Sequence, residues 1–350
     1  MDFIKDLLAV FSVILNGLPQ GLLALTFGFA SIPTAFAFLT GAVGNSIVGS
    51  VAPISFQAET ITIAGTMGKN MRERLSMIFY GGVIMALIGV FGFLGTIVDF
   101  IGPVITSGMM AGVGIMLARV SIDMCRKNRI IGSVSIASAF LTYLFTKDLV
   151  YTISISVILS SVVSRVMKQD TGIMANGNDK IKFQKPILNT SIIRGALSMV
   201  CLNIGANIAF GNITGSIAGK SVNLDHLAVI SSLADMSSSL FGGGPVESII
   251  SATASAPHAV WAGVGMMILM AVILLSGLLP KIGKYVPSES IAGFLFVLGA
   301  WVTVPVNAAV SLGQDSLVGG ITMTVTAITD PFFGMVAGLI MKMLSGIIGL

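Results

Sequence analysis

Phe241-Gly-Gly-Gly-Pro-Val-Glu-Ser-Ile-Ile-Ser-Ala-Thr-Ala-Ser-Ala-Pro257 is the stretch on which the reading of this chain turns. Three glycines and a proline interrupt an apolar region, and Glu247 follows with no counter-charge close in sequence. In a bilayer, backbone that is not helical is tolerated only where it is buried in protein or lines a cavity. An ionisable residue at that depth marks a functional site by default. Pro245 suits the first turn of a helix, which would put Glu247 near the positive end of the helix dipole. Apart from Ile249 and Ile250, the residues from Ser248 to Ala256 are small, so a helix or a substrate can come close.

The whole chain supports a membrane setting. Of its 350 residues 55% are apolar and 10% charged, with a mean hydropathy of +0.97. A soluble domain carries about 25% charged residues. At roughly 20 residues per span there is room for about 12 to 14 helices. Period-two patterning with regular turns is missing, which argues against an outer-membrane barrel. The net charge of +4 is spread over many short loops and does not suggest nucleic-acid binding. Cys125 and Cys201 form no metal or redox spacing. Asp2, Lys5 and Asp6 precede the first apolar run, which has no small-residue cleavage site and reads as a retained helix.

The expected architecture is an all-α polytopic membrane protein of about 14 spans, arranged as two inverted repeats of seven. The first repeat covers residues 1–167, a polar linker 168–190, and the second repeat 191–350. Pro53–Gly65 holds Glu59 in a short, small-residue segment, and Pro245–Ala256 holds Glu247 in what reads as the same setting. After each comes a long span and then an aromatic–proline entry, Phe100-Ile-Gly-Pro103 and Tyr285-Val-Pro287. Glycines follow at matching offsets, Gly108 and Gly114 against Gly293 and Gly299. Corresponding interrupted segments in two halves point to a transporter's binding site. Fifteen of the 19 Lys and Arg residues fall in loops after odd-numbered spans, which predicts those loops to be cytoplasmic and the N-terminus outside.

Leu233-Ala-Asp-Met-Ser-Ser-Ser-Leu-Phe-Gly-Gly-Gly-Pro-Val-Glu-Ser248 resembles the tenth-helix signature of the xanthine/uracil permeases, the nucleobase–ascorbate transporter family. It looks nearest to the hypoxanthine/guanine branch, where Ala-Asp precedes the break and Glu-Ser follows it; here these are Ala234, Asp235, Glu247 and Ser248. Phe36-Ala-Phe-Leu-Thr-Gly-Ala-Val-Gly-Asn45, continued to Ala52-Pro53, is similar to that family's second helix and the start of its third. The resemblance implies half-helices at spans 3 and 10, each after a short strand-like piece. It implies a core of spans 1–4 and 8–11 moving against a gate of spans 5–7 and 12–14, with substrate between the half-helix ends. A homodimer is expected by the same analogy. Where the family's eighth helix usually carries an acid, this chain has Asn203 and Asn207.

The candidate substrate-binding residues are therefore Glu247, Glu59, Asn203, Asn207, Gln57, Phe56, Ser248 and Gly244, with Glu59 and Glu247 also as coupling groups. Glu247 suits a ring N–H, since a carboxylate accepts two such bonds. The plainer reading is a cap on a neighbouring helix end. Glu59 suits a proton or cation; the plainer reading pairs it with Lys69 or Arg72. Asn203 and Asn207 suit a substrate or a tie between helices. Phe56 suits stacking on a planar ring, or plain packing. Asp235 reads as a structural link. His226 and His258 sit near span ends and do not read as ligands, and the methionines read as packing.

The expectation is a secondary transporter of a nucleobase or similar small heterocycle in the cell's inner (plasma) membrane. It would be coupled to H⁺ or Na⁺, with no other cofactor, no nucleic-acid partner and the lipid bilayer as its surroundings. The alternative is a sulfate-permease-like anion transporter or channel of the same fold. Helix N-termini attract anions, but two glutamates there would repel them, and no basic residue lies inside either broken segment. An enzyme is not expected, because HExxH, GxSxG and GxxxxGK[ST] are all missing.

Overall fold

A computed structural model describes residues 2–168 and 181–348. Among the described residues the fold is all-helical apart from one two-stranded ladder, and it consists of inverted repeats. The first half comprises α1 (Asp2–Thr26), α2 (Ser31–Val48), β1 (Ile54–Ser55), α3 (Ala58–Met67), α4 (Met71–Val90), α5 (Leu94–Ile101), α6 (Pro103–Lys127), α7 (Arg129–Thr146) and α8 (Leu149–Val166). The second comprises α9 (Thr190–Ala218), α10 (Leu224–Ser239), β2 (Glu247–Ser248), a 3-10 turn (Ala252–Ser255), α11 (Ala259–Leu275) and α12 (Leu278–Gly283). A second 3-10 turn (Ser288–Ile291) leads into α13 (Ala292–Phe296), a π-helical stretch (Val297–Thr303) and α14 (Val304–Gln314). The chain ends with α15 (Ser316–Ile328) and α16 (Pro331–Ile348). Among the described residues, eight helices are long and apolar enough to cross a membrane, and α11, α15 and α16 are shorter apolar helices. The chain is a multi-pass membrane protein.

The helices pack in two groups. In one, α10 lies against α4 and α2, α2 against α11, and α4 against α9. In the other, α6 lies against α14, α15 and the π-helical stretch, α15 against α16, and α7 against α8 and α13. The groups meet where α9 touches α16 and α6, and where α1 touches α8.

The repeated glycines decide one of these crossings. A Cβ on Gly114 of α6 would lie 3.0 Å from the carbonyl oxygen of Gly299, and a Cβ on Gly299 would meet the carbonyl oxygen of Gly114. Two backbones in van der Waals contact need small residues at the crossing. In lipid, small faces of this kind hold helices together by packing alone, because the tails outside are as apolar as the helices. Serines add bonds: Ser135 Oγ donates to Ser290 O at 2.6 Å and accepts from Gly293 N at 2.9 Å.

The chain from Met71 to Lys127 forms α4, the short α5 and α6. Gly92, at φ 69°, turns the chain after α4, and Asp225 Oδ1 caps the start of α5 by accepting from Leu94 N at 3.1 Å. Pro103 begins α6 after Gly102 at φ 83°, as the aromatic–proline entry predicts. Part of the polar linker, residues 169–180, lies outside the described residues. Its end runs along the base of α10 and α4, with Gln184 N donating to Leu240 O at 2.7 Å and Ile187 N to Ser76 Oγ at 3.0 Å.

Candidate functional site

The two chain breaks meet. β1 and β2 pair antiparallel, Ile54 opposite Ser248 and Ser55 opposite Glu247. Each break frees backbone groups that lipid cannot satisfy, and the structure accounts for them. Ile249 N donates to Pro53 O at 3.3 Å, and Ala30 N to Gly242 O at 2.9 Å. Gly244 N donates to Thr34 Oγ1 at 2.8 Å, and Gly244 O accepts from Ser238 Oγ at 2.7 Å. Val246 N donates to Asp235 Oδ1 at 2.8 Å. Asp235 thus has the structural role read from the sequence, fixing the path of the chain into β2. Gly244 belongs to this scaffold rather than to an open surface.

The two broken segments are not alike. Pro245 does not begin a helix. Val246 to Ser248 are extended, and the second break contains only the 3-10 turn at Ala252–Ser255 where a half-helix was expected. The backbone groups of this stretch bond across to β1, Asp235 and Pro53 instead of along a helix. Glu247 therefore sits on a strand, whereas Glu59 sits in the first turn of the ten-residue α3. The two glutamates occupy different places in their repeats, contrary to the expectation of one shared setting.

The cluster that does assemble joins α9 to β2. Asn207 Oδ1 accepts from Ser248 Oγ at 2.9 Å, and Ser248 N donates to Glu247 Oε1 at 3.2 Å. All three side chains are fully buried. Glu247 Oε2, Asn207 Nδ2, Asn203 Oδ1, Asp235 Oδ2 and Ser55 Oγ have no partner among the described residues. Buried polar atoms are nearly always satisfied, so these open donors and acceptors on α9, α10 and the β1–β2 ladder are free to meet a polar ligand; Asn45 Oδ1, Thr62 Oγ1 and Glu289 Oε2 are open elsewhere. No described Lys or Arg forms an ion pair with Glu59, Asp235 or Glu247.

Glu59 is buried at 5% exposure and does not pair with Lys69 or Arg72. Arg72 Nε donates to Lys185 O at 3.3 Å, and Glu73 accepts from Lys69 N at 3.0 Å. The N-terminus of α3 is buried and has no side-chain cap; Gln57 at that position turns its Oε1 to Thr60 Oγ1 at 3.2 Å. Phe56 does not offer a free face for a planar ring. It is buried at 1% exposure and meets Phe38 edge-on, with centroids 5.2 Å apart. Among the described residues no group of three or more His, Cys, Asp and Glu side chains is placed to hold a metal.

One ion pair was not foreseen from sequence. Arg194 Nε of α9 lies 2.6 Å from Asp330 Oδ2, at the start of α16. Asp330 is fully buried and also accepts from Ser198 Oγ at 2.7 Å and Phe333 N at 3.1 Å. The pair bridges the two helix groups. Asp330 follows an apolar span and precedes a proline, a spacing that signals a helix N-cap, but nothing in sequence assigns it Arg194 as partner.

No family model matches the chain, and no curated protein matches it by sequence. Solved structures match its fold over nearly its whole length. The transmembrane domain of BicA, a cyanobacterium bicarbonate transporter, aligns with a TM-score of 0.68 at 14% identity over 97% of this chain and 98% of that one. SLC26A9 aligns at 0.73 and 15% identity over 99% of this chain and 66% of that one. Murine Slc26a9, an anion transporter in the inward-facing state, aligns at 0.71 and 14% identity over 99% and 68%. These neighbours overturn the resemblance to xanthine/uracil permeases and with it the nucleobase assignment. The physical reason is that Ala-Asp before a glycine-rich break and Glu-Ser after it report how a broken membrane segment is built: Asp235 ties down Val246, and Ser248 enters the ladder. The overall fold that carries those breaks is similar to that of the BicA and SLC26A9 structures.

Proposed function

We propose that this chain is a secondary carrier of a small anion. The helix group holding both breaks moves against the group built on α6, α14 and α15, and the anion sits between the start of α3 and the β1–β2 crossing. The observation that carries this reading is the fold, matched over 97% of this chain to a bicarbonate transporter's membrane domain. The local chemistry supports it. Buried N–H groups at the uncapped start of α3 are donors aimed along a helix dipole, the usual device for holding an anion.

Glu59 stands in that same turn. An ionised carboxylate there would repel the cargo, so anion binding and protonation of Glu59 go together, and the carrier is H⁺-coupled. Gln57, Asn203, Asn207, Ser248 and Glu247 supply the surrounding polar shell, and a plasma-membrane homodimer is the form in which we expect it to work.

Purified protein in liposomes tests this. Radiolabelled sulfate or bicarbonate should enter, sulfate faster when the side of entry is acidified, and Glu59→Gln should remove that acceleration. Empty-liposome rates for both anions would end the proposal. An unchanged response to the proton gradient in Glu59→Gln would end the coupling role.

A further inference from the structure

A cavity of about 410 Å³ opens between the end of α3, the start of α9, α6 and the end of α15. It is lined by Arg119 and Asp123 of α6, Ser191 and Arg194 of α9, Thr66 and Thr329 among others. It does not reach Glu59 or Glu247. We propose that this cavity is a second anion site, selective for small inorganic oxyanions and held by Arg119 and the outer edge of Arg194.

The two guanidinium groups carry the argument. Arg194 spends one of its five N–H donors, Nε–H, on Asp330. Its side chain remains 44% exposed, and its terminal amino groups have no protein acceptor among the described residues. Phe333 lies under the guanidinium with its centroid 4.7 Å away, which fixes the plane. Arg119 is exposed and makes no ion pair among the described residues.

Two acids face these arginines, and both are engaged. Asp330 is engaged by Arg194, Ser198 and Phe333 N. Asp123 pairs with Arg126 at 3.2 Å. The cavity is therefore left with unspent guanidinium donors, and a flat fork of donors matches a planar or tetrahedral oxyanion better than a halide. Ser191 and Thr329 add hydroxyls at the rim. Because Arg194 belongs to one helix group and Arg119 to the other, an anion between them touches both sides of the seam before it reaches the interior.

The idea takes from the preceding section only that the cargo is an anion. The test is a sulfate titration of the purified protein at constant ionic strength, with gluconate as the balancing anion, read by thermal stabilisation. Wild-type protein should be stabilised. Arg119→Gln should weaken sulfate binding by about fivefold or more, as expected for a lost charged hydrogen-bonding partner, and Arg119→Lys should recover part of it. Arg119 is exposed, so its replacement leaves folding intact. Lack of stabilisation of the wild type, or equal affinity in Arg119→Gln, overturns the site. Liposome uptake separates the two proposals. Arg119-dependent binding without any uptake refutes the carrier and leaves the site standing. Uptake by a protein whose sulfate affinity is the same in Arg119→Gln refutes the site and leaves the carrier.

Discussion

Ser55 and Glu247 stand opposite each other in the two-residue antiparallel ladder that joins the halves of the chain. Each brings an unpartnered buried oxygen to the crossing, Ser55 Oγ and Glu247 Oε2. The pairing holds both breaks in place with main-chain bonds, and it leaves side chains free for something other than the fold. Replacing Glu247 by Gln keeps the shape and the bond from Ser248 N while removing the acid. Thermal stability of Glu247→Gln should match or exceed that of the wild type, and anion uptake should fall about tenfold or more, a loss of about 1.4 kcal/mol at the rate-limiting step. Wild-type uptake by this variant would remove Glu247 from the site.

Asp235 is expected to act on stability instead. Its Oδ1 is the partner of Val246 N at the break, and both residues are fully buried. Asp235→Ala leaves that N–H without an acceptor and should cost about 1–3 kcal/mol. Asp235→Asn, which keeps an acceptor oxygen, should cost less. Melting of the detergent-solubilised variants measures both, and an Asn variant as damaged as the Ala variant would contradict the capping role.

Arg194 and Asp330 form a pair with one end fully buried. Arg194→Met leaves the buried Asp330 carboxylate with only Ser198 Oγ and Phe333 N as donors, a change that costs about 3–5 kcal/mol for a fully buried pair and here should fall toward the lower end because Arg194 is partly exposed. The double variant Arg194→Met with Asp330→Asn should recover much of that loss. A double variant no more stable than the single one would mean that the pair is not what stabilises the α9–α16 contact.

Gly114 and Gly299 meet backbone to backbone where α6 crosses the π-helical stretch. Gly299→Val forces that crossing apart and should destabilise by about 1–3 kcal/mol. Gly313, whose added Cβ meets nothing within 4 Å, should accept Ala with little effect. Equal melting temperatures for Gly299→Val and wild type would show that the crossing is loose.

Hydropathy, the two glycine–proline breaks and the recurring glycines are local properties of the string. They determined a polytopic helical membrane protein, its internal repetition, and Glu59, Glu247, Asn203 and Asn207 as polar groups at depth. Which backbone lies beside which is not local. Only the tertiary structure placed Glu247 on a strand against Ser55, took Phe56 out of reach by seating it on Phe38, and joined Arg194 to an aspartate far along the chain. The tenth-helix motif misled for the same reason: its residues satisfy a broken backbone, a demand set by lipid, and so they say little about what is carried. The anion transporter, which the sequence offered only as the alternative, gained its support from the fold of the whole chain, which no short motif encodes.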